Sequence, residues 1–161
     1  MPKVIQVELS RKGLTRAMNE LREYKKWVEA KEGELTQRLA ALGATVASIQ
    51  FSRAIYNGSK DISVRVDSTG SVAVIYAEGE SVAFVEFGAG SKYGYGHPQA
   101  GEFGVGPGTY PEGKGHWDDP NGWWYGHNQH TYGNPPAMAM YQAVQTMTEQ
   151  LTQIAREVFA T

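Results

Sequence analysis

Residues 88–136 are unlike the rest of this 161-residue chain, and they set the main limit on what it can fold into. This stretch holds 13 of the 19 glycines, all four histidines and nine aromatic residues. Loops longer than about 15 residues are uncommon in compact domains and are usually either functional or disordered. Nine aromatics argue against plain disorder, because disordered segments are poor in them. The sequence therefore predicts a functional loop at residues 88–136.

The remaining residues, about 110 in number, predict one domain over residues 1–161 with a modest core. A domain of that size is marginal by itself, so burial against a partner subunit is expected. The net charge of −2 gives no bulk attraction to nucleic acid or to an anionic membrane. The chain has no cysteine, no apolar run long enough to span a membrane and no signal peptide at its start. A cytoplasmic protein is the expectation.

The first third of the chain has two periodic patterns. Alternating apolar residues between positions 5 and 9 predict a short strand, and Ser10 is a typical cap for a following helix. Gly33 interrupts the helical pattern and predicts two helices within the helical region 10–55. The helical stripe is expected to face the core, and its members recur at three- and four-residue steps: Leu14, Met18, Leu21, Tyr24, Val28, Leu35, Leu39, Leu42, Val46 and Ile49.

Three short apolar runs follow the turn signal at Asn57-Gly58. They begin near Ile62, Val72 and Val82, and the short polar turns between them favour an antiparallel meander over residues 61–87.

The last element follows Pro135-Pro136, where proline suits a helix start, and an apolar stripe predicts a helix over residues 137–160. The expected fold class is α+β. A small antiparallel meander is covered by the N-terminal and C-terminal helices, with loop 88–136 between the last strand and the last helix.

The loop offers residues that could in principle bind a metal: His97, His116, His127, His130, Asp118 and Asp119. Their spacing matches no metal motif, since His127 and His130 are three apart with no helix to align them. The glycines between 101 and 106 do not follow the order of a phosphate-binding loop, and no serine lies in a nucleophile elbow. The sequence predicts no catalytic residue, no cofactor and no metal site.

The tryptophan-rich part of the loop is the sharper feature, with Trp117, Trp123, Trp124, Tyr125 and Tyr132. Such rings are enriched at protein interfaces, but they also stack on sugars or bases, or fold back into a small satellite core. Acidic residues outnumber basic ones in the loop, which disfavours phosphate binding. Residues 119–122 read as a tight turn, which would place Trp117 and Trp123 on opposing arms of a hairpin.

In order, the strings AFVEFGAG (residues 83–90), HWDDPNGWWY (116–125) and GNPPAMAM (133–140) resemble the tail-completion family of tailed bacteriophages, also described as head-to-tail joining, neck or minor capsid proteins. LGATVAS (42–48) and DISV (61–64) fit the same pattern. Many relatives have a Pro-x-x-Thr-Gly-like turn before the first meander strand and a Pro-Phe pair before the last helix. This chain departs from the family at both places.

The resemblance implies a virion building block and no enzyme. Its copies would form a homo-oligomeric ring, a hexamer, that completes the tail and joins it to the head connector. Its neighbours would be that connector and the tail-tube or tail-terminator protein, and DNA would pass through the ring without specific binding. It would be found in the host cytoplasm during assembly and then at the head–tail junction. The intersubunit contacts would come from Phe87, Trp117, Trp123, Trp124, Tyr125 and Tyr132.

A second function stays open at this point. A carbohydrate-binding or cell-wall-interacting phage tail protein would use the same loop aromatics as platforms for sugar rings. Hydrolysis of a glycan would also require two carboxylates about 5 to 10 Å apart, and the adjacent Asp118 and Asp119 do not indicate such a pair.

Overall fold

A computed structural model of the protein describes residues 4–93, 96–105, 119–125 and 128–160. The fold is α+β, as the sequence predicts, with helices at both ends of the chain and two small antiparallel sheets between them. The elements are α1 (Arg11–Arg53), β1 (Ser63–Thr69), β2 (Val72–Glu78), α2 (Val82–Phe87), a 3₁₀ turn (Ser91–Tyr93), β3 (Trp123–Tyr125), β4 (Gln129–Thr131) and α3 (Ala139–Ala160).

α1 is one continuous helix of 43 residues, so the predicted break at Gly33 is wrong. Gly33 faces the turn of the β1–β2 ribbon, and a Cβ at this position would make an ordinary contact of 3.4 Å with the Gly70 carbonyl oxygen. Around Gly33 the helix is supported by Glu34, which pairs with Lys31 at 3.2 Å and with Arg38 at 2.7 Å.

The start of α1 is capped as predicted, since the Ser10 hydroxyl oxygen accepts the Gly13 N–H at 3.0 Å. The strand predicted between positions 5 and 9 is wrong, because residues 4–8 have no strand partner in the described part of the chain. The backbone of Glu8 lies instead against Gly13 in the first turns of α1.

β1 and β2 form a two-stranded antiparallel ribbon, with Ser63 opposite Glu78 and Thr69 opposite Val72. The tight turn between them includes Gly70, which has a φ of 60°. One face of the ribbon packs on α1, where Ile75 lies against the backbone of Gly43.

The third predicted strand is wrong, because residues 82–87 form the short helix α2. The Asp61 carboxylate accepts the backbone N–H groups of Glu80 at 2.5 Å and Ser81 at 3.2 Å, and it also accepts the Ser81 hydroxyl. These bonds fix the turn that follows β2, and α2 begins directly after it. Periodicity alone cannot show whether a short apolar run forms a strand or a helix. Here the bonds from Asp61 to the preceding turn favour the helix.

α3 begins two residues later than the predicted start at 137 and packs antiparallel on α1. Three contacts define this pairing: Phe159 with Trp27 at 5.9 Å between ring centroids, Glu157 with Arg38 at 3.6 Å, and Met147 with Gly43. The central cluster consists of Ala47, Phe51, Val85, Ala139 and Ala143. Among the described residues, only Val85 and Val158 are large side chains that are fully buried.

The predicted core stripe of α1 is wrong at its N-terminal end and also at Ile49, which is 42% exposed. Leu14, Met18 and Leu21 are between 46% and 56% exposed, because α3 ends beside Trp27. At 1.5 Å per residue, α1 is roughly 65 Å long and α3 only roughly 33 Å. Residues 11–26, called the arm below, therefore extend past the end of α3.

Candidate interaction surface

The base of loop 88–136 is formed where α2 meets α3. Glu86 is only 4% exposed, and its carboxylate accepts the N–H groups of Met140 and Tyr141 at 3.0 to 3.1 Å. These are two of the first N–H groups of α3, which have no partner within the helix itself. A carboxylate also interacts favourably with the positive end of the helix dipole. Glu86 therefore caps α3 from a position 54 residues away along the chain.

The contact is reciprocal, because the segment before α3 donates to the last carbonyl groups of α2. Ala137 N–H donates to the Val85 carbonyl at 2.8 Å, and Met138 N–H donates to the Glu86 carbonyl at 3.2 Å. The Asn134 side-chain amide donates to the Phe84 carbonyl at 2.8 Å. The last carbonyl groups of α2 are thus satisfied by the segment before α3, while the first N–H groups of α3 are satisfied by the Glu86 side chain.

A backbone pair closes the loop immediately outside this junction. Ala89 and Asn134 exchange two backbone hydrogen bonds of 3.0 and 2.9 Å. Gly90 and Gly133 have φ values of 87° and 100°, and a Cβ at Gly133 would collide with the Ala89 carbonyl oxygen. Glycine is required at these positions because the two backbones are too close for a side chain.

His97 attaches the first part of the loop to the same junction. Its side chain is buried, and its Nε2 lies 3.4 Å from the Glu86 carboxylate. Its Nδ1 accepts the Gln99 N–H at 3.1 Å, which assigns the ring proton to Nε2 and lets Nε2 donate to Glu86. The imidazole also packs on Phe87 and Tyr141, with centroids 4.4 and 5.5 Å away. His97, together with the contact of Phe103 with Phe87, holds residues 96–105 against the junction.

β3 and β4 form a hairpin near the end of the loop, with Trp123 opposite Thr131 and Trp124 opposite His130. The tight turn predicted at residues 119–122 is confirmed, since Gly122 N–H donates to the Asp119 carbonyl at 2.9 Å. The Asp119 side chain also accepts the Asn121 N–H at 2.8 Å. The Trp117 arm predicted beyond this turn lies outside the described residues.

One face of this hairpin carries a row of exposed rings. His130 lies between Trp124 and Tyr132, at 4.9 Å from each in edge-on geometry. Trp124 is 69% exposed and Tyr132 is 48% exposed, and the Lys92 ammonium lies 5.4 Å from the Tyr132 ring. We call these four residues the aromatic patch. It presents ring surface, one ammonium group and an imidazole, which suits it to bind a flat apolar or aromatic partner surface.

The other predicted interface residues have different environments. Phe87 is half-buried and packs on His97 and Phe103, so it stabilises the base of the loop. Trp123 is half-buried, because neighbouring residues of a strand face opposite sides. The backbone of Tyr125 pairs with Gln129.

The histidines do not form a cluster in the described part of the chain. His97 pairs with Glu86 and His130 belongs to the aromatic patch, whereas His116 and His127 lie outside the described residues. Within the described ranges, no three His, Cys, Asp or Glu residues lie close enough together to hold a metal ion. No described helix has both the length and the apolar character needed to cross a membrane.

Comparison with protein-family models, with curated proteins and with solved structures finds no match to this chain.

Sequence reasoning missed two residues that organise the loop, Glu86 and Asn134. Glu86 does leave a signal, since it is the only charged residue in the apolar run from Val82 to Phe87. A lone carboxylate in such a run needs buried donors, but the sequence does not say which ones. The donors lie more than 50 residues further on.

Proposed function

We propose that this protein is a structural, non-enzymatic component of a tailed-phage virion. Its copies form a ring, a hexamer, at the head–tail junction, which completes the tail and joins it to the head connector. The proposal rests first on the resemblance of residues 83–90, 116–125 and 133–140 to the tail-completion family. The protein would be made in the host cytoplasm and incorporated into the virion.

The observation that carries the proposal is the imbalance between buried and exposed apolar side chains. Only two large side chains are fully buried among the described residues, and most of the other buried apolar residues are alanines. Seventeen large apolar residues of the described ranges are exposed. Scattered exposed apolar residues are normal, but continuous faces of them are typical of interaction sites. A subunit that completes its core against neighbours accounts for this pattern.

The aromatic patch supplies one such contact. Tryptophan and tyrosine are the residue types most often found as interface hot spots. Trp124 and Tyr132 are exposed, and the base of the loop is closed by the Ala89–Asn134 backbone pair. A rigid base limits the entropy that the patch loses on binding. The patch would contact an adjacent subunit or the tail-tube or tail-terminator protein.

The overall charge agrees with a channel component. A net charge of −2 on 161 residues gives weak attraction to DNA, which allows DNA to pass through the ring without tight binding.

A second candidate function is glycan binding by a phage tail protein. The exposed ring of Trp124 favours it, because a solvent-facing indole beside the imidazole of His130 can stack on a sugar face. Binding of soluble cell-wall fragments, followed by intrinsic tryptophan fluorescence, would support this candidate over assembly. Trp124→Phe is the matched variant, because it keeps a ring and removes one of the four tryptophans, so loss of the signal change would assign it to Trp124.

The test of the assembly proposal is disruption of the gene in the phage that carries it. The expected result is the accumulation of filled heads and separate tails, seen by electron microscopy, and restoration of joined particles by the wild-type chain supplied in trans. Gold-labelled antibody should bind intact virions at the neck. Joined, infectious particles without the protein would contradict the proposal, as would a gene neighbourhood with no portal, capsid or tail-tube gene.

A further inference from the structure

The arm, residues 11–26, presents an apolar stripe that nothing in the described structure covers. Leu14, Met18 and Leu21 follow each other at four- and three-residue steps, so they share one face of α1. All three are exposed. Residues 4–8 do not cover this stripe; they lie beside Gly13, Arg16 and Glu20 instead.

The arm is also strongly basic in a chain that is otherwise acidic. It has six basic residues, Arg11, Lys12, Arg16, Arg22, Lys25 and Lys26, against two acidic ones, Glu20 and Glu23, a net charge of +4. Since the whole chain carries −2, the other residues sum to −6. The first turn of α1 contains no acidic residue, so its basic groups lie at the positive end of the helix dipole. An acidic partner surface would offset the repulsion between these basic groups and the helix dipole.

The same chain offers such a surface on the open face of the β1–β2 ribbon. Val72, Val74 and Tyr76 are 36% to 62% exposed, and alternation along β2 places them on the side away from α1. Residues 61–80 contain four acidic residues and one basic one, and that one, Arg65, is already paired with Asp67 and Glu78. The open face is therefore apolar at Val72 and Val74, and the Arg65 guanidinium lies over the Tyr76 ring at 4.1 Å. With four acidic residues and one basic one, the ribbon as a whole stays net negative.

The dimensions of the two surfaces agree. From Leu14 to Leu21 the stripe covers roughly 10 Å at 1.5 Å per residue. From Val72 to Tyr76 the ribbon covers roughly 13 Å at 3.3 Å per residue. A two-stranded ribbon with a helix on one face only is an incomplete layer structure, and a second helix on its open face would complete it.

We propose that the arm of one copy binds the open ribbon face of the neighbouring copy. Pairing of two arms would bring two +4 segments together, so charge favours the arm–ribbon arrangement over it. The contact joins different surfaces of the two copies, which is the interface type that generates rings when the rotation closes. The proposed contact rests on the proposed ring, and it identifies the two surfaces that would join neighbouring copies in that ring.

Disulfide trapping tests the contact directly, because the natural chain has no cysteine. Met18→Cys and Val74→Cys are made separately in the full chain, one with an affinity tag so that the two differ in size. Each variant is oxidised alone, and the two are then oxidised as an equal mixture. The expected result is a mixed two-chain product that exceeds either homodimer several-fold. The absence of a mixed product overturns the proposal, and so does a Met18→Cys homodimer in equal amount.

Charge variants separate this contact from the general assembly. Met18→Glu with Leu21→Glu, or Val74→Glu alone, should weaken self-association by about tenfold or more in light scattering, as expected for the loss of buried anchors. Asn19→Glu adds one negative charge, as Val74→Glu does, at an exposed position of the arm outside the stripe. The arm then still carries +3, and association should stay near wild type. Wild-type-like association of the stripe variants overturns the arm–ribbon contact and leaves the ring proposal standing. If the mixed product forms but the protein is not needed for head–tail joining, the arm–ribbon contact stands and the proposed function fails.

Discussion

The Glu86 carboxylate accepts the Met140 N–H through both of its oxygens, at 3.1 and 3.0 Å, and this contact fixes the start of the last helix. The side chain that caps α3 thus comes from α2, on the other side of loop 88–136. A cap supplied from a distance makes the helix start depend on the loop being closed. The two helices and the base of the loop are therefore expected to unfold together.

Replacement of Glu86 by alanine should destabilise the protein by about 2 to 3 kcal/mol, because it leaves buried N–H groups of α3 without an acceptor. Glu86→Gln keeps one acceptor oxygen and should cost about half as much. Urea unfolding followed by circular dichroism measures both variants. Equal stability of Glu86→Ala and wild type would show that solvent satisfies these groups.

Gly133→Ala should open the base of the loop. The added Cβ would collide with the Ala89 carbonyl oxygen, and the φ of 100° is strained for any residue but glycine. We expect a loss of about 2 kcal/mol or more in the free energy of unfolding. Gly101→Ala is the matched control, since no atom lies within 4 Å of its added Cβ, and its unfolding midpoint should match wild type.

Asp61 should make stability depend on pH at the acidic end. The Ser81 hydroxyl and the Glu80 N–H hold the pKa of Asp61 below its ordinary value. A lowered folded-state pKa gives stabilisation that is complete above the unfolded pKa of roughly 4 and is lost as the pH falls further. Asp61→Asn should therefore flatten the fall of the thermal midpoint below about pH 4. Glu149→Gln on the exposed face of α3 should leave that slope unchanged.

The fold class and the two long helices could be predicted from the sequence because they depend on local periodicity. The buried face of α1 could not, since the buried positions Ala40, Ala47 and Phe51 lie outside the predicted stripe. Ser10 and the turn at residues 119–122 could also be predicted, since each bonds to residues within a few positions. The helix α2 could not, because its start depends on Asp61, about 20 residues earlier. The same six residues are compatible with a strand until that contact is known.

Some residues of the candidate site could also be predicted from the sequence, and others could not. Trp124 and Tyr132 could be selected from composition alone, and both are exposed. The sequence could not show that Phe87 and Trp123 are half-buried, because burial depends on which face of an element meets the base of the loop. His97 was a candidate metal ligand by residue type, whereas its hydrogen bonds place it between Glu86 and the Gln99 backbone.

Loss of the His97 side chain should release residues 96–105 without unfolding the domain. His97→Ala removes the contact with Glu86 and the rings of Phe87 and Tyr141. Hydrogen exchange should rise in residues 96–105 and stay near wild type in the middle of α1. His97→Phe keeps a ring between Phe87 and Tyr141 and should show an intermediate effect. Unchanged exchange in both variants would mean that other contacts hold this segment.

Trp124→Ala with Tyr132→Ala should weaken assembly while leaving the subunit folded. Both side chains are exposed, so their loss creates no cavity, and the thermal midpoint should stay within about 2 °C of wild type. Removal of two interface anchors should weaken association by at least about tenfold. Sedimentation velocity measures the assembly, and Gln145→Ala, a change at an exposed polar position of α3, serves as the control. Wild-type assembly of the double variant would remove the aromatic patch from the interface.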